Sequence, residues 1–91
     1  MATGKVNRFP IREYVWETGN FTPSANVPYG LKTLSEIGTT ADKVVAIQPL
    51  SVLQADTDAY WYKLTISNGG IYFTSSVSQI YSLKIKVTYS D

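Results

Sequence analysis

The sequence predicts an all-β chain, a small antiparallel β-sandwich of jelly-roll-like or immunoglobulin-like type with at most one short helical turn. Three observations lead there. Stretches at 59–67 and 83–89 alternate apolar and polar side chains with a period of two, which sends successive residues to opposite faces of a strand. Seven Tyr, three Phe and two Trp sit among many Val, Ile and Thr, the side chains that fit a pleated, half-buried surface. Gly, Pro and Asn interrupt the chain at short intervals, and no stretch sustains a helical period.

Residues 1–10 hold Ala2, Thr3, Gly4, Asn7 and Pro10 but no apolar run. They read as an N-terminal arm or linker, which leaves 11–91 as a single β-sandwich domain. Glu13-Tyr14-Val15-Trp16-Glu17-Thr18 reads as a strand ended by Gly19-Asn20, with Tyr14 and Trp16 on one face and core packing as their favoured role. Turn formers follow in Thr22-Pro23-Ser24 and Val27-Pro28-Tyr29-Gly30. Thr33-Leu34-Ser35-Glu36 has capping-box spacing, but Gly38 arrives too soon for more than one helical turn. Lys43-Val44-Val45-Ala46-Ile47-Gln48 carries apolar residues on both faces and is stopped by Pro49. That pattern predicts a central strand covered on both sides, or covered by a second sheet on one side and a neighbouring chain on the other.

The hairpin signal is stronger. Tyr62, Leu64 and Ile66 share one face of a strand, while Trp61, Lys63, Thr65 and Ser67 share the other. Asn68-Gly69-Gly70 follows, whose residues tolerate the positive φ angles of tight turns, and Ile71-Tyr72-Phe73-Thr74 begins the return strand. Residues 59–75 are therefore a hairpin. The last strand sets Leu83, Ile85, Val87 and Tyr89 toward the core and Lys84, Lys86 and Thr88 toward solvent.

Composition removes most chemistry. The 91 residues include no Cys and no His, so there is no disulfide, thiolate nucleophile, imidazole base or ordinary zinc, copper or haem ligand. No cofactor, metal site or catalytic residue is expected. A net charge of +1 with scattered charges gives no basic stripe for nucleic acid and no polybasic patch for anionic lipid. Nowhere do 18 apolar residues run together, so membrane insertion by a helix is not expected either. Asp56-Thr57-Asp58 is the one close carboxylate pair, but Trp61 stands where a calcium loop needs glycine and Ser67 where it needs glutamate, so a polar turn is the better reading. Asn20-Phe21-Thr22 matches a glycosylation sequon, and with no secretory signal read in the sequence it is treated as chance. The serines have no His partner and no nucleophile elbow, and nothing supports a Ser-Lys dyad, so an enzyme is the least favoured class.

Aromatic side chains remain as candidates for contact with a ligand or another chain: Trp61, Tyr60 and Tyr72, together with Lys63. If Tyr62 points inward, Trp61 stands out beside Lys63 and Thr65, where an indole can stack on a sugar ring or pack in a subunit interface. Burial of Trp61 in the core or under a loop is the competing reading, and the alternation alone leaves both open. Val44, Val45 and Ile47 on both faces of one strand, with twelve aromatics, give more apolar surface than a domain this small can cover, which points to a homo-oligomer.

The run Val44-Val45-Ala46-Ile47-Gln48-Pro49-Leu50, then Tyr60-Trp61-Tyr62, the hairpin through Ile71-Tyr72-Phe73 and the terminal Leu83-Lys84-Ile85-Lys86-Val87-Thr88-Tyr89 resemble the C-terminal tip domains of bacteriophage tail fibres and related small virion β-sandwich proteins. The resemblance spans about residues 43–91 and is one of pattern. It implies a structural, receptor-binding virion protein, extracellular after release, that attaches to a host-cell surface glycan or protein as a homotrimer. A carbohydrate-binding module of a bacterial protein is the alternative with the same composition.

Overall fold

The structure, a computed structural model, describes residues 10–56 and 60–91. The arm read over 1–10 therefore lies outside the described residues except for Pro10, as does the turn at Thr57-Asp58. The elements in chain order are β1 (Ile11–Phe21), β2 (Tyr29–Thr33), α1 (Leu34–Ile37), a 3-10 turn (Ala41–Lys43), β3 (Val44–Gln54), β4 (Tyr62–Ser67), β5 (Gly70–Ser75) and β6 (Tyr81–Ser90). Two three-stranded antiparallel sheets, ordered β1-β6-β3 and β2-β5-β4, pack into a sandwich.

The core is built from the two centre strands, β6 and β5. β6 turns Tyr81, Leu83, Ile85 and Val87 into the core, and β5 answers with Ile71, Phe73 and the buried Ser75. Burying one such large side chain contributes about 1.5–3 kcal/mol, so this double row is the main source of stability. Aromatic rings fill one part of the interface between the sheets: Phe73 meets Tyr81 at 4.7 Å and Phe21 at 5.4 Å, and Phe21 stacks on Tyr29 at 4.8 Å. Tyr14 and Trp16 project from β1 onto the same interior, 5.7 Å apart, as their shared face predicts. The Lys32 ammonium lies over both rings, 5.7 and 5.3 Å from their centroids, so its charge is compensated by π surface while its stem covers apolar area.

The single helical turn forms as its capping box predicts. Glu36 N–H donates to Thr33 Oγ1 at 3.3 Å and Thr33 N–H donates to Glu36 Oε1 at 2.9 Å, satisfying two groups a helix start leaves open. Gly38, at φ 97°, ends it, and Leu34 and Ile37 are buried against the core. Leu34 N–H also donates to Gly69 O at 2.8 Å, tying the helical turn to the β4–β5 hairpin.

Two strand readings are corrected. β3 is an edge strand rather than a central one, and it continues through Pro49 to Gln54. Only Val44 and Ile47 of its first residues pack against the core, while Val45 is 65% exposed. Register shifts at Val44/Ala46 and at Pro49/Ser51 insert an extra residue each time, which breaks the simple alternation on which the buried reading rested. Pro49 is accommodated because an edge strand has one side with no ladder to complete. β1 likewise does not stop at Gly19-Asn20. A register shift between Glu17 and Asn20, with Gly19 at φ 73°, carries the strand on to Phe21 in the core.

Candidate functional site

The outward face of the β2-β5-β4 sheet holds a groove of about 490 Å³. Its floor follows from strand alternation. Leu64 and Ile66 pair with Phe73 and Ile71 on the inner side, so Lys63 and Thr65 stand outward opposite Thr74 and Tyr72. Trp61 extends the ladder by one residue: Ser76 N–H donates to Trp61 O at 3.0 Å, and Trp61 N–H donates to Ser76 Oγ at 3.2 Å. The indole is thereby held on the outer face by its backbone and remains 50% exposed.

Tyr72 forms the other aromatic wall. Its ring lies against two glycines, one beside it on β2 and one two residues earlier on its own strand. A Cβ at Gly30 would sit 3.5 Å from the ring, and a Cβ at Gly70 only 3.2 Å from it. The missing side chain at Gly70 gives the ring room that a Cβ there would narrow, while at Gly30 a Cβ would meet it at ordinary contact distance. Trp61 and Tyr72 stand on neighbouring strands at rows four residues apart, roughly 13 Å along the strand direction at 3.3 Å per residue. The space between them has a hydroxyl and ammonium floor and is longer than one sugar ring.

Two asparagines border the groove, both in the left-handed region that Asn adopts more readily than other side-chain-bearing residues. Asn68, at φ 50°, precedes Gly69, at φ 73°, in the two-residue hairpin turn, the type I′ pattern. Asn26, at φ 61°, belongs to the segment joining β1 to β2, where its N–H donates to Ser75 O at 2.7 Å. Lys63 Nζ lies over the Trp61 ring, 6.0 Å from its centroid, and is the one charged group lining the groove among the described residues.

Of the four residues singled out from sequence, Trp61, Lys63 and Tyr72 line this groove. Tyr60 does not. It is half-buried, and its phenol donates to Asp56 Oδ2 at 3.4 Å. Asn26, Pro28 and Thr74 were not anticipated as neighbours of Trp61. Thr74 could have been found by continuing the hairpin register; Asn26 and Pro28 reach the groove by a crossing between sheets that no local pattern encodes.

The other outer face, on the β1-β6-β3 sheet, differs in kind. Lys86 pairs with Glu13 at 3.6 Å, and Glu17 stands opposite Lys84 in the register. At the end of that sheet Arg12 grips Asp91 in a fork, with Nη2 donating to Oδ2 at 3.0 Å. The hydrogen bond from Arg12 and its charge hold the Asp91 carboxyl below its ordinary value. Among the described residues no group of three or more acidic side chains converges as a metal site would require. No protein-family model matches the chain, and neither the curated proteins nor the solved structures searched include a match.

Proposed function

We propose that this chain is a non-enzymatic recognition domain that attaches a bacteriophage particle to a host-cell surface, with the outer face of the β2-β5-β4 sheet contacting a surface glycan. The observation that carries the binding reading is the half-exposed Trp61 indole, fixed from its backbone beside Lys63 and Thr65. Sugar rings pack their C–H faces on π surface while their hydroxyls still need hydrogen-bond partners, and this groove offers both kinds of contact. The virion setting rests on the tail-fibre resemblance of residues 43–91.

Tail-fibre tips assemble about a three-fold axis, and a homotrimer is part of the proposal. Exposed apolar side chains along the β3 edge favour association there: Val45, Leu50 and Leu53 all stand in solvent, the last 67% exposed. The glycan face and the assembly face then belong to different sheets. A carbohydrate-binding module of a bacterial protein needs the same groove but no trimer. Solution mass separates the two, since a module stays at 10.1 kDa and a fibre tip sediments at about three times that mass.

The test of the binding reading is a glycan array probed with the native chain and with Trp61→Ala. Retention of specific glycans by the native chain and their loss in the variant, with an unchanged thermal midpoint, supports it. Equal retention by both refutes it.

A further inference from the structure

We infer that the groove selects a carboxylate-bearing sugar, seated with its anion on Lys63 and a ring on Trp61. The inference rests on the glycan reading above and adds the sign and number of charges on the ligand. Among the described residues Lys63 is the one charged residue lining the groove, and no carboxylate among them makes an ion pair with it. On the opposite outer face Lys86, by contrast, makes an ion pair with Glu13 at 3.6 Å. A lysine left without an acidic partner beside an exposed indole is poised for an anion supplied from outside.

Geometry places that anion. The ammonium lies over the indole, 6.0 Å from its centroid, so an anion on Lys63 and a ring against Trp61 are within the span of one substituted pyranose. A neutral glycan leaves this ammonium without a partner of opposite charge. A phosphorylated sugar brings between one and two negative charges at neutral pH against a single cation, which leaves charge over in the groove. One ammonium matches one carboxylate. The amide and hydroxyl side chains of Asn26, Asn68, Thr65 and Thr74 supply neutral donors and acceptors for the sugar hydroxyls without competing for the cation.

The experiment uses the full chain and uronic-acid-rich bacterial surface polysaccharides, each in matched pair with its carboxyl-reduced, neutral form and with a phosphorylated counterpart. Binding is followed by the fluorescence of Trp61 in a Trp16→Phe background. The expected result is a loss of affinity of about three- to tenfold on carboxyl reduction, as for a partly exposed charge-assisted contact. Lys63→Gln should reproduce that loss for the acidic form and bring the ratio of acidic to neutral affinity to about one, with the thermal midpoint unchanged. Equal affinity for native and carboxyl-reduced forms, with both lost in Trp61→Ala by isothermal titration calorimetry, overturns the charge selection while the glycan reading stands. Tighter binding of the phosphorylated form overturns it in favour of a dianion. Failure of every saccharide, acidic and neutral, to change the Trp61 signal overturns both readings together.

Discussion

Tyr81 joins two roles in one side chain. Its ring is fully buried among Phe21, Tyr62 and Phe73, and its hydroxyl meets Ser75 Oγ at 2.7 Å and accepts from Gln79 Nε2 at 3.1 Å. Gln79 in turn receives Asp56 N–H at 2.6 Å and donates to Asp56 O at 3.2 Å, so the phenol is linked through Gln79 to the backbone of Asp56. Tyr81→Phe keeps the ring and removes the hydroxyl, and should cost about 1–2 kcal/mol because the buried Ser75 loses a partner. Urea denaturation gives the cost, and faster amide exchange at Asp56 should accompany it. On β6, Ile85→Ala should cost about 2–4 kcal/mol by opening a cavity, whereas Lys84→Ala should stay within about 0.5 kcal/mol. Equal losses would mean that the inward and outward rows are misassigned. The Asp91 carboxyl, held low by Arg12, contributes stability above its ordinary pKa of 3.8, and that contribution disappears as pH falls through the depressed value. Arg12→Ala should return the Asp91 titration toward 3.8, read by NMR.

The β4–β5 hairpin was legible from sequence because its determinants are local. Alternation fixes its faces, and Asn68-Gly69 supplies two consecutive residues that accept positive φ. Gly69→Ala should therefore cost about 1 kcal/mol, while Asn68→Gly should cost little, both measured by thermal unfolding. The pair Gly30 and Gly70 tests the seat of Tyr72 in the same way: alanine at Gly30 meets the ring at ordinary contact distance, whereas at Gly70 it must push the ring aside. Gly70→Ala should weaken binding in the groove more than Gly30→Ala does. β3 was misread for a physical reason. Its two bulges change which residues face inward, and its position at an edge is set by β6 choosing it as a partner, a pairing of residues about forty apart that no window of local sequence contains. The helical turn, by contrast, was legible because Thr33 and Glu36 lie within one turn of each other.

Across the molecule the chain builds two unlike surfaces from one core. The outer face of β1-β6-β3 carries charges that meet partners, and that of β2-β5-β4 carries an exposed indole, a tyrosine laid on glycine and one lysine among neutral polar groups. Alternation along β4 foretold that Trp61, Lys63 and Thr65 share a face, which is why the centre of the site was readable in advance. Its rim was not, since Asn26 and Pro28 arrive from the crossing between sheets and depend on how β1 and β2 dock. Tyr60 falls outside the groove: it precedes β4, and its phenol bonds Asp56. The most direct test of the outer β2-β5-β4 face as the recognition surface is amide chemical-shift mapping of the full chain, titrated with the saccharide that binds best on the array. The account predicts shifts centred on Trp61, Lys63, Thr65, Tyr72 and Thr74, with a saturable change at the Trp61 indole N–H and little change at Lys84 or Lys86. Shifts centred on the β1-β6-β3 face, or a Trp61 indole unchanged at saturation, would contradict it.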